Sequence, residues 1–250
     1  IGCYIVVRGM SFFGDALSHS ILPGVALAYI SGGNLFIGGL VAGLASAIGI
    51  GWLTSGGRMK EDTAIGVVFV GMFALGIAII STARDYSVDL SHILFGNVLG
   101  VSSTDLTTMF LCGLVVVGAV IFLFKEFLVL SFDPALMKTL KLPAEALRYL
   151  LLALIALTIV ASLQTVGIAL MLAMLVTPAA TAQLFVQRLH TMMLVAGLIG
   201  VVSGVVGLYL SFHLSFHLNL NIASGAAIVL TTTIVFLVTF VGMRLRGGLR

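Results

Sequence analysis

The stretch MMLVAGLIGVVSGVVGLYLS, residues 192–211, contains no charged residue. A helix needs about 20 consecutive apolar residues to cross the hydrocarbon core of a bilayer. Every backbone N–H and C=O group must find a partner within such a segment, because lipid offers none. This stretch therefore predicts a transmembrane helix.

Similar apolar runs lie on both sides of it along the chain. They cover residues 9–31, 35–55, 63–82, 106–124, 149–163, 166–187 and 222–242. The short opening run IGCYIVV is interpreted as the end of a further spanning helix. The pattern predicts an all-α, polytopic membrane protein with about eight transmembrane helices plus a partial N-terminal one. Residues 1–250 are expected to form a single transmembrane domain.

Composition excludes a soluble fold. Charged residues make up 8% of the chain and hydrophobic residues 60%, whereas soluble domains carry roughly 25% charged residues. The two cysteines, Cys3 and Cys112, stand alone in apolar surroundings and predict neither a disulfide nor a metal cluster. The basic residues occupy short gaps between apolar runs, which indicates membrane topology and no nucleic-acid partner.

Basic residues are distributed unequally between the two sides that these runs define. One side receives a single residue, Arg84, and the other receives the remaining eleven: Arg8, Arg58, Lys60, Lys125, Lys138, Lys141, Arg148, Arg188, Arg244, Arg246 and Arg250. Cytoplasmic loops are enriched in Lys and Arg. We therefore expect segment 125–148 and the C-terminus inside, and the loops 84–105 and 212–224 outside.

One acidic residue, Asp15, falls within a predicted span. If residue 9 lies near the interface, Asp15 is about 9 Å and His19 about 15 Å into the membrane. A carboxylate at that depth costs several kcal/mol unless it is paired. His19 follows four residues later and therefore shares its helix face.

Three interpretations of this pair stay open. Carboxylate and imidazole together suit Mn²⁺, Fe²⁺ or Zn²⁺, although two ligands are too few for one ion and a second copy of the chain would have to supply two more. The pair could instead form a proton relay in a secondary transporter, or a structural hydrogen bond. Pro23 predicts a break in the helix beside the pair, and Pro178, within 176–181, predicts a second interrupted span.

The longest charged stretch, residues 125–148, contains a predicted amphipathic helix. Asp133 and Pro134 are typical of a helix start, and an apolar stripe follows at Leu136, Met137, Leu140 and Leu142 before Pro143. Such a helix could lie on the membrane or dock into a partner protein.

The remaining histidines give weaker signals. The segment 211–218, SFHLSFHL, repeats four residues, and His213 and His217 would share a face if it were helical. They could bind a metal, contact a delivery protein, or belong to a duplicated linker. His92 is a further secondary candidate. The chain contains no GxxxxGK[ST], HExxH or GxSxG motif, so we expect it to be no enzyme: neither P-loop ATP hydrolysis nor hydrolase chemistry is supported.

Five segments of the sequence resemble the membrane permeases of manganese/zinc/iron-type ABC importers. They occur in that family's order and cover nearly the whole chain: residues 8–28 (RGMSFFGDALSHSILPGVALA), 61–66 (EDTAIG), 92–97 (HILFGN), 131–134 (SFDP) and 175–182 (LVTPAATA). The manganese members are the most similar, so we expect Mn²⁺ as cargo, with Zn²⁺ or Fe²⁺ as alternatives and no permanently bound cofactor.

The resemblance also implies partners and residue roles. It implies a permease dimer (a homodimer or a pair with a close paralogue), cytoplasmic ABC ATPase subunits and an extracytoplasmic metal-binding protein. Asp15 and His19 match the family's GDxxSH motif and would be the pathway ligands. Residues 132–143 would form the coupling helix, with Phe132, Asp133, Pro134, Leu136, Met137 and Leu140 toward the ATPase. The location would be a prokaryotic cell membrane.

Overall fold

The computed structural model describes residues 1–57, 59–82, 101–218 and 223–245. Regular structure in these ranges is entirely helical. The α-helices are α1 Gly2–Val7, α2 Phe13–Ser20, α3 Leu22–Ile30, α4 Leu35–Thr54, α5 Glu61–Ile80, α6 Ser103–Phe122, α7 Phe124–Phe132, α8 Pro134–Thr139, α9 Ala144–Val166, α10 Ile168–Gln183, α11 Leu189–Leu218 and α12 Ser224–Leu245.

Six of these helices are long and apolar enough to cross a membrane without interruption: α4, α5, α6, α9, α11 and α12. The shorter apolar helix α10 occupies the predicted run 166–187, and the pair α2 and α3 occupies the run 9–31. The prediction of an all-helical polytopic membrane protein is confirmed.

The helix of run 9–31 is interrupted as predicted. The prediction of a second interrupted span, at Pro178, is wrong. α2 ends at Ser20, and Pro23 lies in the first turn of α3. By contrast, α10 runs without a break through Pro178. Membrane helices tolerate an internal proline where neighbouring groups compensate, and Pro178 is buried with its side chain facing Gly200 of α11.

Two further boundaries differ from the prediction. The loop expected from residue 212 is helical as far as Leu218, because α11 continues well past the apolar run. In the segment 125–148, α7 follows α6 after a bend at Leu123. α9 begins at Ala144, directly after Pro143 and ahead of the predicted start at residue 149. Proline favours the start of a helix, where its missing N–H has no intrahelical partner.

Side chains cap several helix starts. The Oδ1 atom of Asn34 accepts hydrogen bonds from the backbone N–H of Phe36 at 2.9 Å and of Ile37 at 3.2 Å, ahead of α4. The hydroxyl of Ser102 accepts one from the N–H of Asp105 at 3.1 Å, ahead of α6. Such caps satisfy N–H groups that have no partner within the helix.

The described helices form two compact units, with α2–α9 in the first and α1 and α10–α12 in the second. In the first unit α3 packs on α4 and α5, and α2 packs on α5. A Cβ atom at Gly24 would overlap the carbonyl oxygen of Gly38, and one at Gly38 that of Gly24. Only glycine permits this approach of α3 and α4, as is common where lipid provides no hydrophobic drive. In the second unit α10, α11 and α12 contact one another, and α1 packs on α10.

Candidate functional site

Asp15 and His19 lie on the same face of α2, with the His19 Nε2 atom 3.8 Å from the Asp15 Oδ1 atom. That separation is too long for a hydrogen bond, so the geometry does not favour the structural interpretation. Bonds of about 2.1 Å to each atom would let one divalent ion bridge them. The side chains retain 37% and 27% of their exposure respectively, which leaves both accessible to an arriving ion.

Aromatic rings from α5 surround the imidazole. The ring of His19 lies 5.9 Å from that of Phe69 and 5.7 Å from that of Phe73, and Phe12 contacts Phe69 edge-on at 6.3 Å. These rings restrict the orientations of the imidazole. They also exclude water from one side of the pair, which strengthens its electrostatic interaction with a cation. Neither Phe69 nor Phe73 was predicted from the sequence, in which their four-residue spacing is the only signal for a shared face.

The helix break lies directly beside the pair. α2 ends one residue after His19, and a Cβ atom on Gly76 of α5 would come within 2.8 Å of the Leu22 Cβ atom and 3.0 Å of the Pro23 backbone nitrogen. Phe69, Phe73 and Gly76 share one face of α5. This face thus contacts the imidazole and also accommodates the broken backbone.

The described residues contain no group of three or more His, Cys, Asp or Glu side chains that could hold a metal ion. Metal sites with protein ligands usually use three or four. In the described ranges, one chain therefore offers two ligands at Asp15 and His19, fewer than such a site uses.

Within the segment 132–143, α8 covers Pro134–Thr139, and its predicted start is confirmed. The Oδ1 atom of Asp133 accepts hydrogen bonds from the N–H groups of Ala135 at 3.1 Å and Leu136 at 3.0 Å. The apolar stripe, however, does not form one surface. Met137 is fully buried, whereas Phe132, Leu136 and Leu140 are 59%, 41% and 52% exposed. The helix ends at Thr139, before Leu140.

Arg148 is a further residue whose structural role could not be predicted from the sequence. Its guanidinium donates hydrogen bonds to the carbonyl oxygens of Gly51 at 3.0 Å and Thr54 at 3.3 Å, at the end of α4. It also lies 4.0 Å from Glu61 in the first turn of α5 and 3.9 Å from Glu145. A cation is favourable at a helix C-terminus. Arg148 therefore ties the start of α9 to α4 and α5.

The secondary histidines have different outcomes. His213 and His217 are helical, and their ring centroids lie 4.3 Å apart. His92 lies outside the described residues. His190 is exposed in the first turn of α11.

Six helices long and apolar enough to cross a bilayer make this a multi-pass membrane protein. The sequence profile described as the "ABC 3 transport family" matches residues 1–243. The chain belongs to this family and is a membrane-spanning transport subunit, distinct from the ATPase.

Several relatives are similar over most of the chain. The manganese transport system membrane protein MntC of Listeria monocytogenes is 48% identical over 240 residues, covering 96% of this chain and 83% of that protein. The chelated iron transport system membrane protein YfeD of Yersinia pestis is 44% identical over 204 residues, covering 81% and 68%. In the structure of PsaBC from Streptococcus pneumoniae in complex with Fab, one chain superimposes with a TM-score of 0.78 at 42% identity, covering 96% and 84%.

Proposed function

We propose that this chain is the permease subunit of an ATP-driven Mn²⁺ importer in a bacterial cell membrane. The observation that carries the proposal is the arrangement of Asp15 and His19, which are half-buried, 3.8 Å apart and beside a helix break. The names of MntC and YfeD support a transition metal as cargo, and the name of MntC supports manganese in particular. YfeD makes ferrous iron the first competitor to test.

The second half of the metal site comes from a second permease copy. Two Asp15 carboxylates and two His19 imidazoles around a two-fold axis supply four ligands of the types that suit Mn²⁺. Few, shared ligands also let the ion leave, since they do not enclose it in a rigid cage. The ion itself neutralises the carboxylates within the membrane during transport.

Partner proteins supply the energy and the ion. Cytoplasmic ABC ATPase subunits dock on the surface of segment 132–143, which we place inside together with the C-terminus. Phe132, Leu136 and Leu140 provide its exposed apolar contacts, while Met137 holds the segment to the permease. Arg148 then connects α9 to α5, the helix that packs on His19. An extracytoplasmic metal-binding protein delivers the ion.

The test is uptake of radioactive Mn²⁺ by cells that express the complete transporter, with Fe²⁺ and Zn²⁺ as competitors. Asp15→Ala and His19→Ala are expected to reduce uptake to background while the ATPase still co-purifies. The control variants Asp62→Ala and His190→Ala remove an exposed carboxylate and an exposed imidazole elsewhere and should transport normally. Normal Mn²⁺ uptake by Asp15→Ala or His19→Ala would contradict the site.

A second arm of the same assay addresses the ATPase surface. The triple substitution Phe132→Ala, Leu136→Ala and Leu140→Ala removes exposed side chains, so the permease should fold and reach the membrane. We expect loss of both ATPase co-purification and uptake. Met137→Ala, which opens a cavity in the interior, should instead lower permease abundance. Unchanged uptake by the triple variant would place the docking surface elsewhere.

A further inference from the structure

α11 is longer than a membrane crossing requires. Its 30 residues, Leu189–Leu218, extend about 45 Å at 1.5 Å per residue, whereas the hydrocarbon core is about 30 Å thick. If the helix enters the membrane near Arg188, its last three turns lie beyond the far side of the core. His213 and His217 belong to these turns, and both are exposed.

The imidazoles of these turns are already close together. The centroids of the His213 and His217 rings lie 4.3 Å apart with 50° between their planes. Tyr209 stacks on His213 at 6.0 Å, and Phe216 meets His217 edge-on at 5.3 Å. These contacts restrict both rings, so little side-chain freedom remains to be lost when the pair binds a ligand.

No carboxylate accompanies the pair on its own helix or on the helices that pack against it. The sequence contains no acidic residue after Glu145, so α10, α11 and α12 carry none. On these described helices, the side chains that could hold a cation beside the pair are the two imidazoles themselves, with water completing its coordination. The His213 and His217 pair offers nitrogen ligands, which suit Zn²⁺, Ni²⁺ and Cu²⁺. The Asp15 and His19 pair includes an oxygen ligand, the type that suits Mn²⁺.

We propose that His213 and His217 form a second metal site that binds one Zn²⁺-like divalent cation and prefers it to Mn²⁺. Zn–N bonds of about 2.1 Å place two coordinating nitrogens no more than about 4.2 Å apart. The ring centroids of His213 and His217, 4.3 Å apart, place the two imidazoles close enough for one ion to reach a nitrogen of each. Water completes the coordination, so the site is a surface site open to exchange.

The aromatic residues of the same segment have a separate explanation. Phe212 and Phe216 stack at 6.2 Å and are 71% and 73% exposed. Exposed phenylalanine rings on one side of a helix can anchor it in the headgroup region of a bilayer. This anchoring accounts for the phenylalanines of the repeat but requires no histidine at the positions that follow them.

The experiment measures Zn²⁺ and Mn²⁺ binding by calorimetry on the purified full-length chain in nanodiscs. All variants carry Asp15→Ala and His19→Ala, so the result does not depend on the transport site. The parent should bind one Zn²⁺ per chain and Mn²⁺ more weakly. The additional double substitution His213→Gln and His217→Gln should abolish this Zn²⁺ site, and either alone should weaken it by roughly tenfold, because the intramolecular second contact is lost.

His190→Gln is the matched control, since it removes an exposed imidazole from the other end of α11. It should leave Zn²⁺ binding unchanged, and size-exclusion profiles verify that every variant is folded. Retention of the Zn²⁺ site in the double variant, its absence from the parent, or an equal effect of His190→Gln would each overturn the proposal.

Discussion

In the part of the chain that the structure describes, two pairs of side chains four residues apart could hold a metal, and their surroundings differ. Asp15 and His19 lie within a predicted span, partly enclosed by aromatic rings, on a helix that ends one residue later. His213 and His217 lie exposed on a helix that continues past the length of a bilayer. The comparison teaches that spacing brings two ligands together, while the surroundings and ligand types decide which ion binds and whether it can move on.

The largest expected effect comes from making the first pair chemically like the second. Asp15→His replaces the carboxylate by an imidazole at the same position on α2. Mn²⁺ uptake should fall about 100-fold, which corresponds to a loss on the order of 3 kcal/mol, because imidazole ligands favour Zn²⁺ over Mn²⁺. Purified protein should still bind Zn²⁺. Uptake assays with both ions measure this change, and wild-type Mn²⁺ uptake would show that the carboxylate is not a ligand.

A smaller effect is expected from disturbing the helix break, which only the first pair possesses. Gly76→Val places a branched side chain against Leu22 and the Pro23 nitrogen, where even one added carbon is too close. Overpacking typically costs about 1–3 kcal/mol, so thermal stability and uptake should both decrease. Gly71→Val on the same helix faces open space in the described structure and should cause neither change. Equal behaviour of the two variants would argue against a role for the break.

The smallest effect is expected from removing one ring beside the first pair. Phe73→Ala deletes a contact worth about 0.5–1.5 kcal/mol, so Mn²⁺ uptake should fall by about twofold to tenfold, with the ATPase still bound. Phe110→Ala is a suitable control, because this α6 residue is 68% exposed. If Phe73→Ala transports as well as Phe110→Ala, the aromatic wall does not position the imidazole.

Much of the architecture could be predicted before the structure was known. The positions of the spanning helices follow from apolar length, and the start of α8 follows from Asp133 and the proline after it. The shared face of Asp15 and His19 follows from helix geometry alone. The end of α11 could not be placed in this way, because a helix that leaves the membrane keeps its backbone hydrogen bonds while its composition changes.

The amino-acid sequence by itself therefore determined where helices cross and which side chains share a helix face. The tertiary structure decided which faces are buried. α6 and α9 are similarly apolar, yet buried residues make up 6% of the apolar stretch of α6 and 50% of that of α9. It also assigned Met137 to the interior, Leu136 to the surface and Arg148 to the end of α4. The physical reason is that lipid and protein interior are both apolar. Hydropathy therefore distinguishes a membrane helix from a loop, but not its lipid-facing side from its packed side.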